Sequence, residues 1–393
     1  MELLCLQDFP IFETSRTYNT MFLKQLKFTN FKNYEEGEME FSPKINCFIG
    51  NNGVGKTNIL DSIYYLSFCK SYFNQIDSQN IRHEEDFFAI HGFYEQGKGS
   101  QDKVQCILKP TKKKHFKLND KEYDRLADHI GLIPLVMISP YDRDLINNHS
   151  DVRRKYLDGV ISQFNGTYLN NLLQYNKALQ QRNSLLKSFA EKRYFEEDLL
   201  EMWNLKLTEL GAEIYKNRKE FIDQFIPIFQ KYFNIISDGK EEVNIVYQSQ
   251  LHDHELSYLL KEYLSKDRIV RYTTAGIHKD DLEFSIGEFP IKKYGSQGQQ
   301  KSFVIAIKLA QFEYMRQIKK QKPILLLDDI FDKLDQQRVE QIIKLVNEEE
   351  FGQVFITDTQ QERIEHIFEN NAVDHRIFTI ENNSITLLKS SHV

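Results

Sequence analysis

The sequence has few cysteines and no long apolar run, and both absences narrow the class of protein. Its four cysteines, Cys5, Cys47, Cys69 and Cys106, include no C-x-x-C pair. This usage suits a reducing cytoplasm rather than a secreted protein held by disulfides. No stretch approaches about 18 uncharged apolar residues, so the sequence predicts no membrane span. We therefore expect a cytoplasmic protein.

An excess of positive charge is also missing. The 51 Lys and Arg residues are outnumbered by 57 Asp and Glu, which gives a formal net charge of −6. Binding to nucleic acid would therefore need local basic patches on an acidic average. The apolar content of 41% suffices for a sizeable core, and 393 residues exceed one ordinary domain. We expect two lobes, or one domain with a large insertion.

The first twenty residues resemble neither a signal peptide nor a transit peptide. They lack a continuous apolar region and contain acidic residues. A well-patterned strand begins just after Met21. We therefore expect residues 1–20 to be a poorly ordered extension, with the folded part starting at Met21.

The spacing of apolar residues predicts the order of helices and strands. Short or buried strands are predicted at 22–28, 38–41, 45–49, 87–94, 103–109, 134–138, 324–327 and 353–357. Helices are predicted at 56–68, at 297–319 and after Asp335. Between 151 and 230, apolar residues recur at spacings of three and four, which predicts two long amphipathic helices with a break near 182–193.

This order predicts an α/β fold interrupted by a helical insertion. Residues 21–150 and 268–393 would form one discontinuous α/β domain. Residues 151–267 would form a mainly helical arm, consistent with an antiparallel helical pair. The sequence shows no internal repeats and no low-complexity segment.

Residues 50–57 read G-N-N-G-V-G-K-T and satisfy the phosphate-binding pattern G-x-x-x-x-G-K-S/T. An apolar strand precedes them and an amphipathic helix follows, which is the context that this P-loop pattern requires. Backbone N–H groups of such a loop form an anion-binding nest, and the helix N-terminus adds its dipole. Lys56 can reach the β- and γ-phosphates, and the Thr57 hydroxyl can ligate Mg²⁺. The predicted nucleotide-binding residues are Gly50, Asn51, Asn52, Gly53, Val54, Gly55, Lys56, Thr57 and Asn58.

A P-loop needs a partner carboxylate for its metal, and the apolar strand that ends in Asp328 and Asp329 supplies one. We predict that Asp328 helps to hold Mg²⁺, directly or through water, and that Asp329 acts as a base or orients water at the γ-phosphate. Most of the chain separates Thr57 from Asp328. Such a gap is expected when an arm is inserted between the two nucleotide motifs.

The stretch Y-G-S-Q-G-Q-Q-K-S, residues 294–302, lies between a predicted strand and the 297–319 helix. Taken alone, it is either a turn that caps the helix or a surface that meets a phosphate. The P-loop already fills the chain's own phosphate site. A second glycine loop has no obvious task within the same chain.

Read together, the P-loop, the Ser-Gln-Gly stretch and the strand ending in two acids resemble the ABC-type ATPases of chromosome maintenance. Within that group, the chain resembles the RecF family of bacterial recombinational repair proteins, nearly end to end from Met21. The segments that carry the resemblance are LKFTNFKNY (26–34), GNNGVGKTNILDSIYYLS (50–67), SPYDRDLINNHSDVRRKYLD (139–158), AGIHKDDLEF (275–284), GSQGQQKS (295–302) and LLLDDIFDKLDQQR (325–338).

The resemblance implies an ABC-type ATPase head, with a mixed sheet, flanking helices and an antiparallel β subdomain, and an inserted helical arm. It implies ATP and Mg²⁺ as cofactors and an ATP-dependent homodimer. Ser296, with Gln297, Gly298 and Gln299, would contact the γ-phosphate held by Lys56 of a second copy. Slow, DNA-stimulated ATP hydrolysis would act as a timer.

The same resemblance implies partners and a cellular role. DNA would be the main partner, as duplex, single strand or gap junction. The mediators RecO and RecR, and indirectly the recombinase RecA, would act with the protein in DNA repair and replication. It would then be associated with the nucleoid.

Several positions depart from the family's usual pattern. The usual Gly-Pro-His-Arg-Asp-Asp run reads Gly-Ile-His-Lys-Asp-Asp at 276–281, which keeps His278, and the usual Ser-Pro-Glu-Asp has Tyr141 in place of the acid. Thr357 and Asp358 stand where transporters carry a switch histidine, and their role is open. Asp335 corresponds to the loop that links the two sites, although it also suits a helix N-cap.

Two basic clusters are candidates for contact with a nucleic acid backbone. Lys112, Lys113 and Lys114 lie in or beside a hairpin, and Arg153 and Arg154 open the arm. A run of charges is usually just a solvated face, but the resemblance favours DNA contact for at least one cluster. Such contact would be weakly sequence-dependent and strongly salt-dependent.

Three other classes of protein compete with this interpretation. An ABC transporter's nucleotide-binding subunit is opposed by the long arm and the missing switch histidine. An SMC-like structural ATPase would need an arm many times longer. A nuclease-linked ATPase would need a further acidic domain, and no residues remain to build one.

Overall fold

The computed structural model describes residues 21–97, 99–331, 334, 336–346, 348–364 and 374–391 of the chain. The predicted extension, residues 1–20, and Asp335 lie outside the described residues. None of the helices within these ranges is both long enough and apolar enough to cross a membrane.

The order of elements follows the predicted order closely. The strands are β1 (Met21–Phe31), β2 (Tyr34–Glu40), β3 (Ile45–Ile49), β4 (Phe88–Gln96), β5 (Gln101–Leu108), β6 (His115–Leu118), β7 (Lys121–Glu122), β8 (Leu135–Ile138), β9 (Val243–Gln248), β10 (Asp281–Ile286), β11 (Phe289–Pro290), β12 (Ile324–Asp328), β13 (Val354–Asp358), β14 (His375–Glu381) and β15 (Ser384–Ser391). The α-helices are α1 (Lys56–Phe68), α2 (Asp144–Asn147), α3 (Ser150–Phe164), α4 (Gly166–Lys192), α5 (Glu197–Ser237), α6 (Leu256–Glu262), α7 (Leu264–Val270), α8 (Ile291–Tyr294), α9 (Gln297–Lys319) and α10 (Gln336–Val346). Short 3-10 helices occupy Asp77–Asn80, Leu126–Asp128, Pro140–Arg143, Gln250–His252 and Ile277–Lys279.

The strands form three sheets. The first, in the order β15-β14-β3-β13-β12-β8, is parallel from β14 to β8, with β15 antiparallel at its edge. The second, β2-β1-β4-β5-β6-β7, is antiparallel throughout. The third is the small antiparallel sheet β11-β10-β9. A mixed sheet with an antiparallel β subdomain is therefore confirmed.

The central strands of the mixed sheet are buried on both faces. β3, β8, β12 and β13 are buried at every residue, as expected for parallel strands covered on both sides. Leu325 and Leu327 pack into a core shared with the arm, whereas Leu326 packs into the core shared with the antiparallel sheet. Because parallel strands end at one edge, the segments after them converge there, which is where α/β proteins bind ligands.

The arm has three main helices rather than the two predicted, because the first predicted helix is divided at Asn165 into α3 and α4, and the break before α5 is not where the sequence predicts it. α4 runs unbroken to Lys192, so the break predicted at 182–193 is wrong, and the chain turns only at 193–196. Arg182 is fully buried on α4, where its Nη1 lies 2.6 Å from Asp267 Oδ2 and its Nε donates to Asn204 Oδ1 at 2.8 Å. A buried ion pair keeps this arginine inside a packed helix, although its residue type suggests a solvated turn.

Strand pairing crosses the predicted boundary of the arm. β9 lies within residues 151–267, yet it pairs along its length with β10, which follows residue 268. Apolar residues of α5 and α9 also share one core. The division into an arm and a discontinuous α/β domain stays a prediction, but the two segments share a sheet and a core.

Candidate nucleotide-binding site

The P-loop spans the turn from β3 to α1 and depends on glycine at Gly55. Its φ of 109° is a left-handed conformation that side chains disfavour. A Cβ there would also lie 2.4 Å from Asn33 Nδ2 and 2.7 Å from the Tyr34 hydroxyl. Neighbouring Gly53 has a φ of 83°. The backbone thus curls as predicted, with the start of α1 directed at the loop.

Lys56 is buried within the loop and is held by the loop's own carbonyl groups. Its Nζ donates to Gly50 O at 2.8 Å and to Asn51 O at 3.0 Å. The ammonium therefore lies inside the curl formed by Gly50, Asn51, Asn52, Gly53 and Val54. This is where a P-loop lysine must be to reach bound phosphates.

The structure brings together the two predicted metal ligands. The Thr57 hydroxyl lies 2.9 Å from Asp328 Oδ1 and 3.1 Å from Oδ2, although the two residues are far apart in sequence. β12 delivers Asp328 to the sheet edge, and α1 presents Thr57 from its first turn. Hydroxyl and carboxylate oxygens are donors that Mg²⁺ prefers.

Thr357, whose role the sequence leaves open, orients both acids. Its hydroxyl donates to Asp328 Oδ1 at 2.9 Å and accepts the Asp329 N–H at 2.9 Å. Asp329 has a φ of 45°, so its backbone turns sharply directly after the strand. The sequence feature that could have indicated this role is the position of Thr357 at the end of β13, the strand that pairs with β12.

Burial raises the pKa of Asp328 to about 6, and the nearby Asp329 carboxylate acts in the same direction. The hydroxyls of Thr57 and Thr357 and the charge of Lys56 oppose the rise, because they favour the ionised carboxylate. A bound cation would favour it further. The donor set therefore fits a divalent cation between Thr57 and Asp328.

Thr57 and both acids line one cavity of about 580 Å³ at the carboxyl edge of the mixed sheet. Asn52, Gly53 and Thr57 line its P-loop end, together with Asp328 and Asp329. Gln297 and Lys301, from the start of α9, line the same cavity. The Ser-Gln-Gly stretch and the P-loop of one chain thus border a common space.

Ser296 is confirmed as the cap of α9, whose bounds match the prediction. Its hydroxyl accepts the Gln299 N–H at 3.2 Å, and the Gln299 side chain accepts the Ser296 N–H at 2.7 Å. Ser296 and Gln297 are nonetheless exposed, and Gly298 leaves a Cβ-sized space with its nearest neighbour at 3.6 Å. The capping role and an exposed helix N-terminus coexist.

Asn33 is a residue of this site that the sequence interpretation missed. Its amide donates to Val54 O at 3.3 Å and to Asn383 Oδ1 at 2.6 Å, and it accepts the Asn58 side-chain N–H at 2.6 Å. One side chain therefore joins the β1–β2 turn, the P-loop, α1 and the β14–β15 turn. Asn33 lies in the segment 26–34, which carries part of the family resemblance, but no local pattern in that segment marks Asn33 as a site residue.

Two arginines of the cavity wall are not among the predicted site residues. Arg363 pairs with Asp358, with Nη1 2.9 Å from Oδ2, so Asp358 is already bound within the chain. Arg143 donates to Gln300 Oε1 at 3.3 Å. Both arginines line the cavity; Arg143 lies in the segment 139–158 that carries the resemblance, whereas Arg363 lies in no such segment.

Two residues that keep the family pattern beside its altered positions have structural roles. Asp142 is buried against Lys308, with 2.7 Å between Oδ1 and Nζ, and caps its own turn through the Ser139 N–H. His278 Nε2 donates to the Thr273 carbonyl and Nδ1 accepts from the Tyr175 hydroxyl, both at 3.0 Å, and burial lowers the pKa of His278 to about 4. His278 does not line the cavity.

The two basic clusters differ in how much of their charge is free. Lys112 and Lys113 are exposed on the turn between β5 and β6. Lys114 instead bonds Asp77 and the Cys69 carbonyl, each at 2.6 Å. Arg153 donates to the Asp281 carboxylate through two of its nitrogens, and Arg154 donates to the Asp280 carbonyl at 2.6 Å. The structure therefore commits Lys114 and Arg153 to internal contacts.

Comparison with known proteins shows similarity over nearly the whole chain. Residues 22–384 match the family model described as the RecF/RecN/SMC N terminal domain. The chain is 52% identical over 367 residues to the DNA replication and repair protein RecF of Phocaeicola vulgatus, a match that covers 93% of this chain and 98% of that protein. It is 51% identical over 360 residues to RecF of Flavobacterium johnsoniae, which covers 92% and 100%.

Solved structures agree with these matches. A structure described as the recombination mediator protein RecF-ATP in the RecFOR pathway superposes with a TM-score of 0.86 at 30% identity, covering 96% of this chain and 100% of that one. An Smc head domain from Pyrococcus furiosus superposes with a TM-score of 0.57 at 16% identity, which bears on the fold alone. The predicted ABC-type ATPase head fold is therefore confirmed.

Proposed function

The chain belongs to the RecF family of DNA replication and repair proteins, and we propose that it is an ATP-dependent DNA-binding protein of recombinational repair. As a member of this family, the chain has an ABC-type ATPase fold. The observation that carries the proposal is the contact of the Thr57 hydroxyl with Asp328 beside the buried Lys56. These residues form a P-loop site with its partner carboxylate already in place.

We propose that this site binds ATP with Mg²⁺. Lys56 exchanges its bonds to the loop carbonyls for bonds to the phosphates, and the backbone N–H groups of the loop hold the remaining oxygens. Thr57 and Asp328 hold the metal, which when bound neutralises charge on the phosphate oxygens. Asp329, fixed through its N–H by Thr357, orients the attacking water and accepts its proton.

We further propose that two copies assemble around ATP. The exposed N-terminus of α9, with Ser296, Gln297, Gly298 and Gln299, would contact the γ-phosphate held by Lys56 of the second copy. Such an assembly is two-fold symmetric, because each copy contributes both surfaces. Hydrolysis removes the γ-phosphate contact and weakens the dimer, so slow, DNA-stimulated hydrolysis would time how long it persists.

The proposed cellular role extends that of the relatives. The dimer would associate with the nucleoid and bind DNA at gap junctions. It would help to load the recombinase RecA with the mediators RecO and RecR. On this chain, Lys112 and Lys113 are the candidates that best suit contact with the DNA backbone, because both are exposed. Their neighbour Lys114 is bonded internally and is less available.

Size-exclusion chromatography with and without ATP tests the assembly. We expect ATP to shift the wild-type protein to a dimer, and we expect Lys56→Ala and Ser296→Ala each to abolish the shift. A monomer that is indifferent to ATP would contradict the proposed mechanism. If Lys56→Ala loses ATP binding while Ser296→Ala keeps it, the failure of Lys56→Ala to dimerise comes from lost nucleotide affinity.

A mixture of the two variants provides the sharper test. Each mixed dimer retains one intact composite site, with Lys56 from one copy and Ser296 from the other. Partial recovery of dimerisation would support a site shared between copies. Ser296→Thr serves as the matched control, because it keeps the hydroxyl that caps α9.

A further inference from the structure

The turn between the two long arm helices carries an apolar groove that the nucleotide site does not use. This arm-tip groove, of about 480 Å³, lies between the end of α4, the turn at 193–196, and α7. It is lined by Leu186, Phe189, Ala190, Arg193, Tyr194, Phe195, Ser265, Arg268 and Ile269. Its floor rests on a small separate core that includes Leu186, Phe189 and Leu200.

The apolar lining of the groove is partly open to solvent. Ile269 is 79% exposed and Tyr194 is 53% exposed. Large apolar and aromatic side chains exposed beside a concave surface are typical of protein-binding sites, where they act as anchors. The groove therefore has the shape and composition of a docking site.

The charge of the groove has one sign. Arg193 and Arg268 line it and are exposed, and no acidic side chain is among the lining residues. Asp267, beside Arg268 in the sequence, is fully buried and bonded to Arg182, so its charge is neutralised inside the arm. From 261 to 279 the exposed cations are Lys261, Lys266, Arg268, Arg271 and Lys279, against the single exposed acid Glu262. The α7 side of the groove is therefore basic on a chain whose net charge is −6, whereas the start of α5 beyond the turn carries the exposed acids Glu197 and Asp198.

One of the two arginines is held in place by a ring contact. The Arg268 guanidinium lies over the Phe195 ring, 4.0 Å from its centroid. Arg193 ends α4 with its backbone in the left-handed conformation, with a φ of 52°, and its side chain is exposed. Stacking leaves the Arg268 guanidinium less freedom to lose on binding, and planar guanidinium groups bind carboxylates through two parallel hydrogen bonds.

We propose that the arm-tip groove binds an acidic segment of a partner protein, with an apolar or aromatic side chain as its anchor. The anchor would fill the space over Leu186, Phe189 and Ile269, and flanking carboxylates would pair with Arg193 and Arg268. A phosphate backbone could satisfy the arginines but has nothing to fill an apolar floor. The combination of an apolar floor and flanking arginines therefore favours a peptide over nucleic acid.

Fluorescence anisotropy on the full chain tests this site. The probe is a labelled peptide in which aspartates flank a Phe-Leu pair. We expect saturable binding that is lost when lysines replace the aspartates or when alanines replace Phe-Leu. Arg193→Glu with Arg268→Glu should weaken binding at least about tenfold, since truncating charged partners at an interface has effects of this size or larger. Ile269→Ser, at an exposed position, should weaken it without altering the charge.

Control variants separate the groove from general charge effects. Lys187→Glu with Lys216→Glu makes the same charge change at exposed sites on the same arm, outside the groove, and should leave binding unchanged. Equal losses in both double variants would overturn the proposal. The proposal would also be overturned if a labelled oligothymidine bound in a manner that depends on Arg193 and Arg268 while binding of the acidic peptide did not depend on them. That result would assign the surface to nucleic acid. Arg268→Lys, which keeps the charge but loses the planar fork, should fall between wild type and the reversal.

Discussion

A single hydroxyl controls the two acids at the end of β12. Thr357 donates to Asp328 and accepts the N–H of Asp329, so one side chain fixes the carboxylate of the first and the backbone of the second. The position is where transporters carry a switch histidine, and a threonine hydroxyl, unlike a histidine, does not gain or lose a proton near neutral pH. Its contribution is to position Asp328 and Asp329 and to favour the ionised form of Asp328.

We predict that Mg²⁺-dependent ATP affinity falls as the pH drops through about 6. The pKa of Asp328 is raised to about 6 by burial, and below this value the carboxyl is protonated and is a poor metal ligand. Thr357→Val removes a hydrogen bond to the charged form, which raises this pKa further and moves the midpoint to higher pH. The loss at neutral pH should be about tenfold, the effect of one hydrogen bond to a charged group. Titration of a fluorescent ATP analogue across pH measures both effects.

Thr357→Ser is the control for this prediction, because it keeps the hydroxyl and removes only a methyl group. It should retain the wild-type midpoint. A Thr357→Val protein with the same midpoint as wild type would show that the hydroxyl does not influence the ionisation of Asp328.

Asn33 shows why a residue of this kind escapes sequence interpretation. Its side chain joins the β1–β2 turn, the P-loop and the turn before β15, and these segments come from opposite ends of the chain. An asparagine in a turn is ordinarily explained by the turn itself. Only the fold brings Val54, Asn58 and Asn383 to its amide group.

At the scale of elements, local chemistry predicted some helices well and misled elsewhere. α1 and α9 have the predicted bounds because their N-termini carry strong local signals, a P-loop and a Ser296–Gln299 capping box. The continuation of α4 past Arg182 was not predictable in this way. Its cause is an ion pair with Asp267, which the fold brings from beyond α5.

We predict that Arg182→Met destabilises the protein by about 3–5 kcal/mol. The substitution leaves Asp267 as an unpaired charge in a fully buried site, and removing one partner of such a pair has costs of this size. Chemical denaturation followed by circular dichroism measures the change in the free energy of unfolding.

A second substitution tests the cause. Asp267→Asn in the Arg182→Met background removes the unpaired charge and should recover part of the lost stability. Lys187→Met, at an exposed position on the same helix, should change stability by less than about 0.5 kcal/mol. Equal losses for Arg182→Met and Lys187→Met would contradict the role of the ion pair.

At the scale of the whole molecule, an acidic chain must bind DNA through a small exposed part of its surface. We predict that Lys112→Glu with Lys113→Glu weakens DNA binding and lowers the slope of log K against log salt by about two, because each lysine that contacts a phosphate contributes about one. Binding to duplex, single-stranded and gapped DNA, measured over a range of salt with ATP and with ADP, gives the slope. An unchanged affinity and slope would exclude this turn.

The matched control for the DNA experiment is Lys187→Glu with Lys216→Glu, which makes the same charge change on the arm. Lys114 is left in place because it bonds Asp77 and the Cys69 carbonyl, and its removal would disturb the fold. A salt slope lowered equally by both double variants would indicate a general charge effect instead of a contact at this turn.

The sequence by itself determined the family, the order of elements, the P-loop and the acids that face it, because these depend on contiguous residues with strong local chemistry. The tertiary structure decided which charges are available: it buried Arg182 in an ion pair, paired Arg153 with Asp281, bonded Lys114 internally, and left Lys112 and Lys113 exposed. It also placed Thr357 and Asn33 at the nucleotide site. The physical reason is that burial and pairing depend on neighbours distant in sequence, which no local pattern records.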